Sequence, residues 1–442
     1  MAAPTREEKL ETRFAEWASP QIQFATPQAE SAYKERVQMF KDVVQVRKPV
    51  RIPVFVNPGI VPFAYAGITT QEAMYDYDKL GLAFKKYNHD FQTDTVISCG
   101  MAGSGPLFDI LDYKLYQWPG RGVAATASYQ ALEGEFMHAD EYDLLINDPS
   151  DYFTRYYLPR VFASLAGWSM LGPITDVIEL PFTGGYMAGT AIPPVRQAYQ
   201  KLMEAGDEAL KWGAAVGAID GHCISTFGLP AFIGGACKAP FDTLGDTLRG
   251  TRAIMLDKFR RPNQVLAAME RLVPLAIHSG VRAVSGSHVP FVFMPLHKGA
   301  DGFMSDKDFR TFYWPTLKAV ILGLVNEGCV PFLFVEGSYN QRLDVIGGDP
   351  DIPAGTTFWL FDKTDMLEVK KRWAGWACFG GNVPASLLST GTPDDVAAYV
   401  KKLLADVAGD GGFVLAPGAV VDHCKPENMH AMIDTCREYG VY

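Results

Sequence analysis

A chain of 442 residues is long enough to bury a substantial core, and 48% hydrophobic residues with 42 Gly and 29 Pro exclude a disordered or fibrous protein. A net charge of −10, with no stripe of Lys or Arg, excludes a surface built for nucleic-acid phosphates. The opening stretch MAAPTREEKLETRFAEW has no apolar signal core, and no apolar run reaches the ~20 residues of a membrane span, so a cytoplasmic protein with no membrane contact is expected.

Taken in chain order, the pattern first predicts helices over Glu8–Trp17 and Glu30–Lys48, an N-terminal helical extension of residues 1–50 that covers the bottom or an edge of the main domain. Short apolar, β-branched and aromatic runs then predict strands at Pro53–Asn57, Thr95–Cys99, Asp176–Phe182, Phe291–Met294, Pro331–Glu336, Thr357–Asp362, Ala377–Asn382 and Gly412–Pro417. Long insertions, Leu111–Pro173 and Thr183–His288, separate the second, third and fourth of these. Amphipathic helices are predicted at Phe309–Glu327, Asp365–Trp373, Thr392–Ala408 and Lys425–Tyr439. The third of these opens on Thr392-Pro393-Asp394-Asp395, which offers a cap, a first-turn proline and two acids suited to the helix dipole. Strands alternating with helices of this length imply parallel β-α units, and eight of them predict one α/β domain over residues 51–442, a (β/α)8 (TIM) barrel with N-terminal helices and long inserted loops.

The seven cysteines are scattered and include no CxxC pair, which fits free thiols in a reducing compartment. Eight dispersed histidines form neither HExxH nor His-x-His, so there is no self-contained zinc signature. The chemistry is sought instead where strands end, because the carboxyl ends of barrel strands face the active site. Glu336 follows the run Cys329–Val335 and begins a polar tip, Glu336-Gly-Ser-Tyr339-Asn340-Gln-Arg342. A carboxylate there serves either proton transfer or the capping of the next helix. His297 follows the Phe291–Met294 strand and titrates near neutral pH, so it is a candidate acid or base; Asp301 would orient it or cap a helix. Arg342 would bind an anion or neutralise Glu336. Asn57, Asp362, Asn382 and His423 occupy the corresponding ends of other strands. The candidate catalytic pair is therefore His297 and Glu336, with Asn57, Asp301, Tyr339, Asn340, Arg342, Asp362, Asn382 and His423 as candidate substrate contacts and no metal ligands.

From about Asn57 onward the chain resembles the uroporphyrinogen decarboxylase superfamily. The resemblance is carried by Gly380-Gly381-Asn382-Val383-Pro384, by Leu387-Leu388-Ser389-Thr390-Gly391-Thr392-Pro393-Asp394-Asp395-Val396, and by Gly411-Gly412-Phe413-Val414-Leu415-Ala416-Pro417-Gly418 followed by Lys425-Pro426-Glu427-Asn428-Met429. Ala239-Pro240-Phe241-Asp242 and Arg249-Gly250 resemble the subgroup that includes corrinoid-dependent methyltransferases. The family fold that this implies is the (β/α)8 barrel.

The chain departs from both branches whose chemistry is known. Haem-pathway decarboxylases carry Met-Arg-Gln-Ala-Gly-Arg where this chain has Val56-Asn57-Pro58-Gly59-Ile60-Val61-Pro62-Phe63, so a tetrapyrrole with eight carboxylates lacks its anion site and meets an acidic chain. In the methyltransferase branch, zinc ligands are implied at the positions occupied here by Glu336, Ser338 and Ala419, and none of these is the thiolate or imidazole found there. His423-Cys424 is the nearest substitute pair. The resemblance therefore implies a zinc-independent, corrinoid-linked methyltransferase component that acts on a small methylated, including O-methylated, compound. There is no Asp-x-His-x-x-Gly signature in the chain, so cobalamin would sit on a separate corrinoid protein. The expected partners are that protein, a small-molecule substrate and, in a homodimer, a second copy. The alternatives are a metal-free lyase or decarboxylase of a small carboxylate held by Arg342, and a non-catalytic barrel.

Overall fold

The computed structural model describes residues 4–177 and 179–442. At its centre six parallel strands pair in chain order: Gly235–Ala236, Phe291–Leu296, Val330–Val335, Phe358–Phe361, Cys378–Val383 and Phe413–Pro417. Two further segments close the ring. Val54 bridges Leu415 in parallel, Val96 bridges Ala231 in parallel, and the Asp94 N–H donates to the Val54 carbonyl at 3.0 Å. The architecture is the (β/α)8 barrel that strand counting predicts. Because every barrel strand runs the same way, all eight carboxyl ends open on one mouth. The strands Val330–Val335, Phe358–Phe361 and Phe413–Pro417 are buried along their whole length, as expected for strands covered on both faces.

The third strand is not where its apolar run predicts. Residue 178 lies outside the described residues, but Ile174–Asp176 forms a short 3-10 turn and Leu180–Thr190 a helix with Pro181 in its first turn. Pro181 has no N–H to give a central strand and is well placed to start a helix. The third barrel position is filled by the stretch from Ala231 to Ala236 instead. Its glycines hide it from a hydrophobicity count, and packing requires them. A Cβ on Gly234 would lie 1.9 Å from the Val289 carbonyl oxygen, and one on Gly235 would lie 2.6 Å from the Ala283 methyl.

The N-terminal helices, Arg6–Ala18 and Pro27–Val44, seal the end of the barrel opposite the mouth. Trp17 packs edge-on to Phe291 at 5.3 Å and donates its indole N–H to the Ala231 carbonyl at 3.0 Å. Phe40 and Phe291 both meet Phe232, at 4.8 and 4.1 Å. Asp94, buried, accepts from the Val54 N–H at 2.8 Å and from both guanidinium ends of Arg51 at 2.7 and 2.6 Å, with Arg36 at 3.4 Å, which ties the first two strands to the second helix.

The first insertion is clamped to the barrel by a buried polar cluster. Arg249 Nε donates to Asp257 at 2.7 Å, Tyr142 donates to the same carboxylate at 2.9 Å, and Arg249 also bonds the Met137 carbonyl. Arg249, noted in the sequence beside Gly250, thus has a bracing role. Gly234→Ala is expected to destabilise the fold by about 1–3 kcal/mol through overpacking against backbone. Gly286→Ala, where a Cβ would meet nothing within 4 Å, should be neutral or stabilising, and urea unfolding midpoints of the two variants check both.

Candidate active site

Two aspartates that follow the third strand organise the mouth. The chain leaves that strand through Pro240–Asp242 and a wide helical turn, Thr243–Leu248, which places Asp242 and Asp246 side by side. Asp242 is fully buried. Its carboxylate accepts the backbone N–H groups of His297 at 3.1 Å and Lys298 at 3.0 Å, and the Tyr313 hydroxyl at 2.6 Å. Those bonds fix the turn in which the fourth strand delivers His297. Burial pushes the Asp242 pKa up, and the neighbouring Asp246 charge adds to the rise.

Asp246 in turn holds the imidazole. Its Oδ2 lies 2.6 Å from His297 Nδ1 and 2.5 Å from Lys238 Nζ, while Oδ1 pairs with Lys298 Nζ at 2.8 Å. Burial alone would raise the Asp246 pKa, but the His297 bond and the two lysine charges outweigh it and hold the carboxyl well below its ordinary range. His297 Nε2 then faces the mouth, 3.6 Å from Glu336 Oε1. Burial works to lower the His297 pKa, and Asp246 first, then Glu336, overcomes it, so the imidazolium persists above the ordinary value of about 6.5. Glu336 is pushed up by burial and by the Asp242, Asp246 and Asp362 charges, partly offset by His297. The result is a file of three groups, Asp246–His297–Glu336, in which Asp246 favours the protonated imidazole.

The signs define a pH window. A raised His297 pKa contributes stability that is present below about 6.5 and is lost as pH rises through the folded value; a depressed Asp246 pKa contributes stability that is present above about 3.9 and is lost as pH falls through its folded value. The pair is therefore intact from below the ordinary Asp range to beyond the ordinary His value, and its contribution is complete between the two ordinary values. Asp246→Asn should lower the His297 pKa, visible as a downward shift in the ring-proton NMR titration of His297 in the free protein.

The other predicted residues divide. His297 and Glu336 meet, as their placement on adjacent strand ends predicts, and Asp362 lies beside them, accepting the Gly337 N–H at 3.1 Å, with its pKa raised by burial. Arg342 does not reach the mouth. It has no exposed surface, and its guanidinium bonds the carbonyls of Gly299 at 3.2 Å and Met304 at 2.5 Å and the Asp306 carboxylate at 3.3 Å, over the Phe309 ring at 4.8 Å. The expected anion anchor is instead an internal brace. Asp301 belongs to the same brace, accepting from Ser338 Oγ at 2.8 Å and the Gln341 N–H at 3.2 Å rather than orienting His297. Asn340 is exposed and accepts the Asp365 N–H at 2.9 Å at the start of the following helix. Tyr339 is buried beneath the rim, its ring edge-on to Phe309. Asn382 uses its amide on the carbonyls of Asp362 and Thr364, at 3.0 and 2.9 Å, and receives the Tyr399 hydroxyl at 3.1 Å, so it ties two strand ends together. Asn340, Tyr339 and Asn382 are therefore corrected from substrate contacts to supports. Arg342→Met should cost about 3–5 kcal/mol of unfolding free energy, read by urea denaturation, by leaving the carboxylates of Asp301 and Asp306 without their buried cation.

Asn57 lines a separate hollow of about 180 Å³ at the same mouth, with Gly59, Ile60, Phe63, Met74, Met101, Ser128, Tyr129 and Asp422. His423 is exposed and lines an adjoining recess with Tyr65, Phe91, Cys424 and Asp422, the last of which also lines that hollow. Asp246, Lys238, Lys298, Asp422 and Tyr129 escape a sequence reading. The first two follow the strand that the glycine-rich run conceals, and the signal that could find Asp246 is its four-residue spacing from Asp242.

The positions at which zinc ligands are implied do not fit zinc. Ala419 has no donor atom, the Ser338 hydroxyl donates to Asp301 at 2.8 Å, and Glu336 is the single remaining ligand type. Among the described residues no group of three or more His, Cys, Asp or Glu side chains is arranged around a metal position.

Comparison with known proteins accords with this architecture. The structure is similar to that of a methyltransferase from Methanosarcina mazei, at 14% identity and a TM-score of 0.57, over 92% of this chain and 98% of that one, which is a likeness of fold. No curated protein matches the sequence significantly. The model of the family described as uroporphyrinogen decarboxylase (URO-D) matches residues 222–439, the part that contributes Asp242, Asp246, His297, Glu336 and Asp362. Residues 222–439 of this chain are thus similar to the uroporphyrinogen decarboxylase family.

Proposed function

We propose that the chain is a methyltransferase component that removes a methyl group from oxygen in a small molecule and passes it to a corrinoid on a separate protein. The observation that carries this is the Asp246–His297–Glu336 file, a set of groups able to hold a proton at the barrel mouth. Departure of a methyl group leaves an electron pair on oxygen, and an alkoxide or phenolate is a poor leaving group unless it is protonated as the bond breaks. Asp246 fixes the tautomer and orientation of His297 through Nδ1, so the Nε2 proton points toward Glu336 and the mouth. Glu336, with its pKa raised, can carry that proton the last step to the leaving oxygen.

The mouth is open to a partner: Met101 and Tyr129 on its rim are 47% and 52% exposed, and Glu336 is half-buried. That openness fits a corrinoid brought by another protein, which would supply the methyl acceptor. The carboxylate-lyase alternative has lost its anchor, because Arg342 is enclosed within the fold. A proton relay that terminates in a solvent-reachable carboxylate has no purpose in a purely structural barrel.

With a methyl donor and the reduced corrinoid protein present, release of the demethylated product should depend on this chain, followed by chromatography. Glu336→Gln and His297→Gln should each lower that rate by on the order of 10²-fold without loss of fold, and the double variant should be little slower than either alone, as for groups that act as a unit. Near-normal turnover in both single variants, or carbon dioxide release in place of a demethylated product, overturns the proposal.

A further inference from the structure

The hollow beside the proton relay has a composition of its own. Its walls are the apolar side chains of Ile60, Phe63, Met74 and Met101, and its polar end is Asp422 with Asn57 and Ser128. At about 180 Å³ it suits one six-membered ring, given that apolar cavities near 150 Å³ accept benzene. Asp422 reaches into it because residue 59 is glycine: φ there is +48°, and a Cβ would lie 2.4 Å from the Asp422 carboxylate. The polar contact of Asp422 is the Ser128 hydroxyl at 3.4 Å, which leaves acceptor capacity free.

Charge decides what kind of ring fits. Lys238 and Lys298 both pair with Asp246, at 2.5 and 2.8 Å, and Arg342 is enclosed. Among the described residues no Lys or Arg forms an ion pair with Glu336, Asp362 or Asp422. An anionic substituent in the hollow would meet the Asp422 carboxylate with no Lys or Arg in the lining to receive it, whereas a hydroxyl donor would find Asp422 as its acceptor. Tyr129 lines the hollow as well, at the same mouth. The relay's proton in turn selects oxygen as the leaving atom, since a methylated quaternary amine departs neutral and needs none.

We propose that this hollow binds the ring of a neutral methoxyphenol, with a ring hydroxyl donating to Asp422 and the methoxy oxygen turned toward Glu336; the assignment of the methoxy group rests on the methyl-transfer reading, and the binding pocket does not. In the step itself the methyl–oxygen bond breaks, the methyl group goes to the partner's reduced corrinoid, and the electron pair left on oxygen takes the relay proton to give the free phenol.

Binding can be measured without any corrinoid protein, by isothermal titration calorimetry with 2-methoxyphenol and 2-methoxybenzoate. The phenol should bind the wild-type chain at least tenfold more tightly than the benzoate. Asp422→Asn should weaken the phenol about tenfold, the scale of a charge-assisted bond reduced to a neutral one, and should narrow its advantage over the benzoate. Ala102→Phe, which fills the hollow from its rim, should abolish phenol binding while circular dichroism and the unfolding midpoint stay unchanged. Equal or tighter binding of the benzoate, or undiminished phenol binding in Ala102→Phe, overturns the pocket. Tight, Asp422-dependent phenol binding with no demethylated product in the complete assay would leave the pocket standing and remove the methyl-transfer reading alone.

Discussion

The mouth of this barrel is organised by a carboxylate that never meets solvent. Asp242 receives the N–H groups of two successive residues, His297 and Lys298, and a tyrosine hydroxyl, so the loop after the fourth strand is bound to the loop after the third. Burying a charged or polar group is unfavourable unless its bonding capacity is met, and a group so satisfied leaves its donors little freedom to move. The imidazole of His297 therefore starts from a fixed backbone. Asp246, one helical turn further on, then sets its ring.

This arrangement separates support from chemistry. Arg342, Asp301 and Asn382 form bonds that point inward or along the rim, and each joins segments distant in the chain, while Tyr339 packs its ring beneath them. The groups left facing the mouth are few: one imidazole, the carboxylates of Glu336, Asp362 and Asp422, and Tyr129. Burial raises the pKa values of Glu336 and Asp362, and the neighbouring acidic charges add to the rise at Glu336. Two lysines hold Asp246 ionised within that field, which keeps donor and acceptor roles apart along the chain of three groups.

The barrel, its N-terminal helices and the adjacency of His297 and Glu336 were legible in the sequence because strand ends in this fold share a mouth. The failures have physical causes. Asp176–Phe182 has strand-like hydrophobicity, but Pro181 starts a helix there, and the true third strand was hidden by glycines that lie against backbone oxygen and helix methyls. With that strand misplaced, the residues after it could not be assigned to the rim, so Lys238 and Asp246 had no position from which to be noticed. Arg342 misled in the opposite direction. Its place after a buried strand suggested a free cation, whereas the carbonyls of Gly299 and Met304 come from a loop far enough away in sequence that no local pattern announces them.

The sealing of the far end by Trp17, Phe40 and the aromatic stack around Phe232 and Phe291 governs traffic as well as stability. A barrel plugged at its base has one doorway. Under the methyl-transfer proposal, whatever reacts beside Glu336 would enter and leave through the same aperture that a large partner would cover, so substrate would have to arrive before the partner lands and product would wait for it to lift away. The packing of the N-terminal helices would then impose an order of arrival at a single gate.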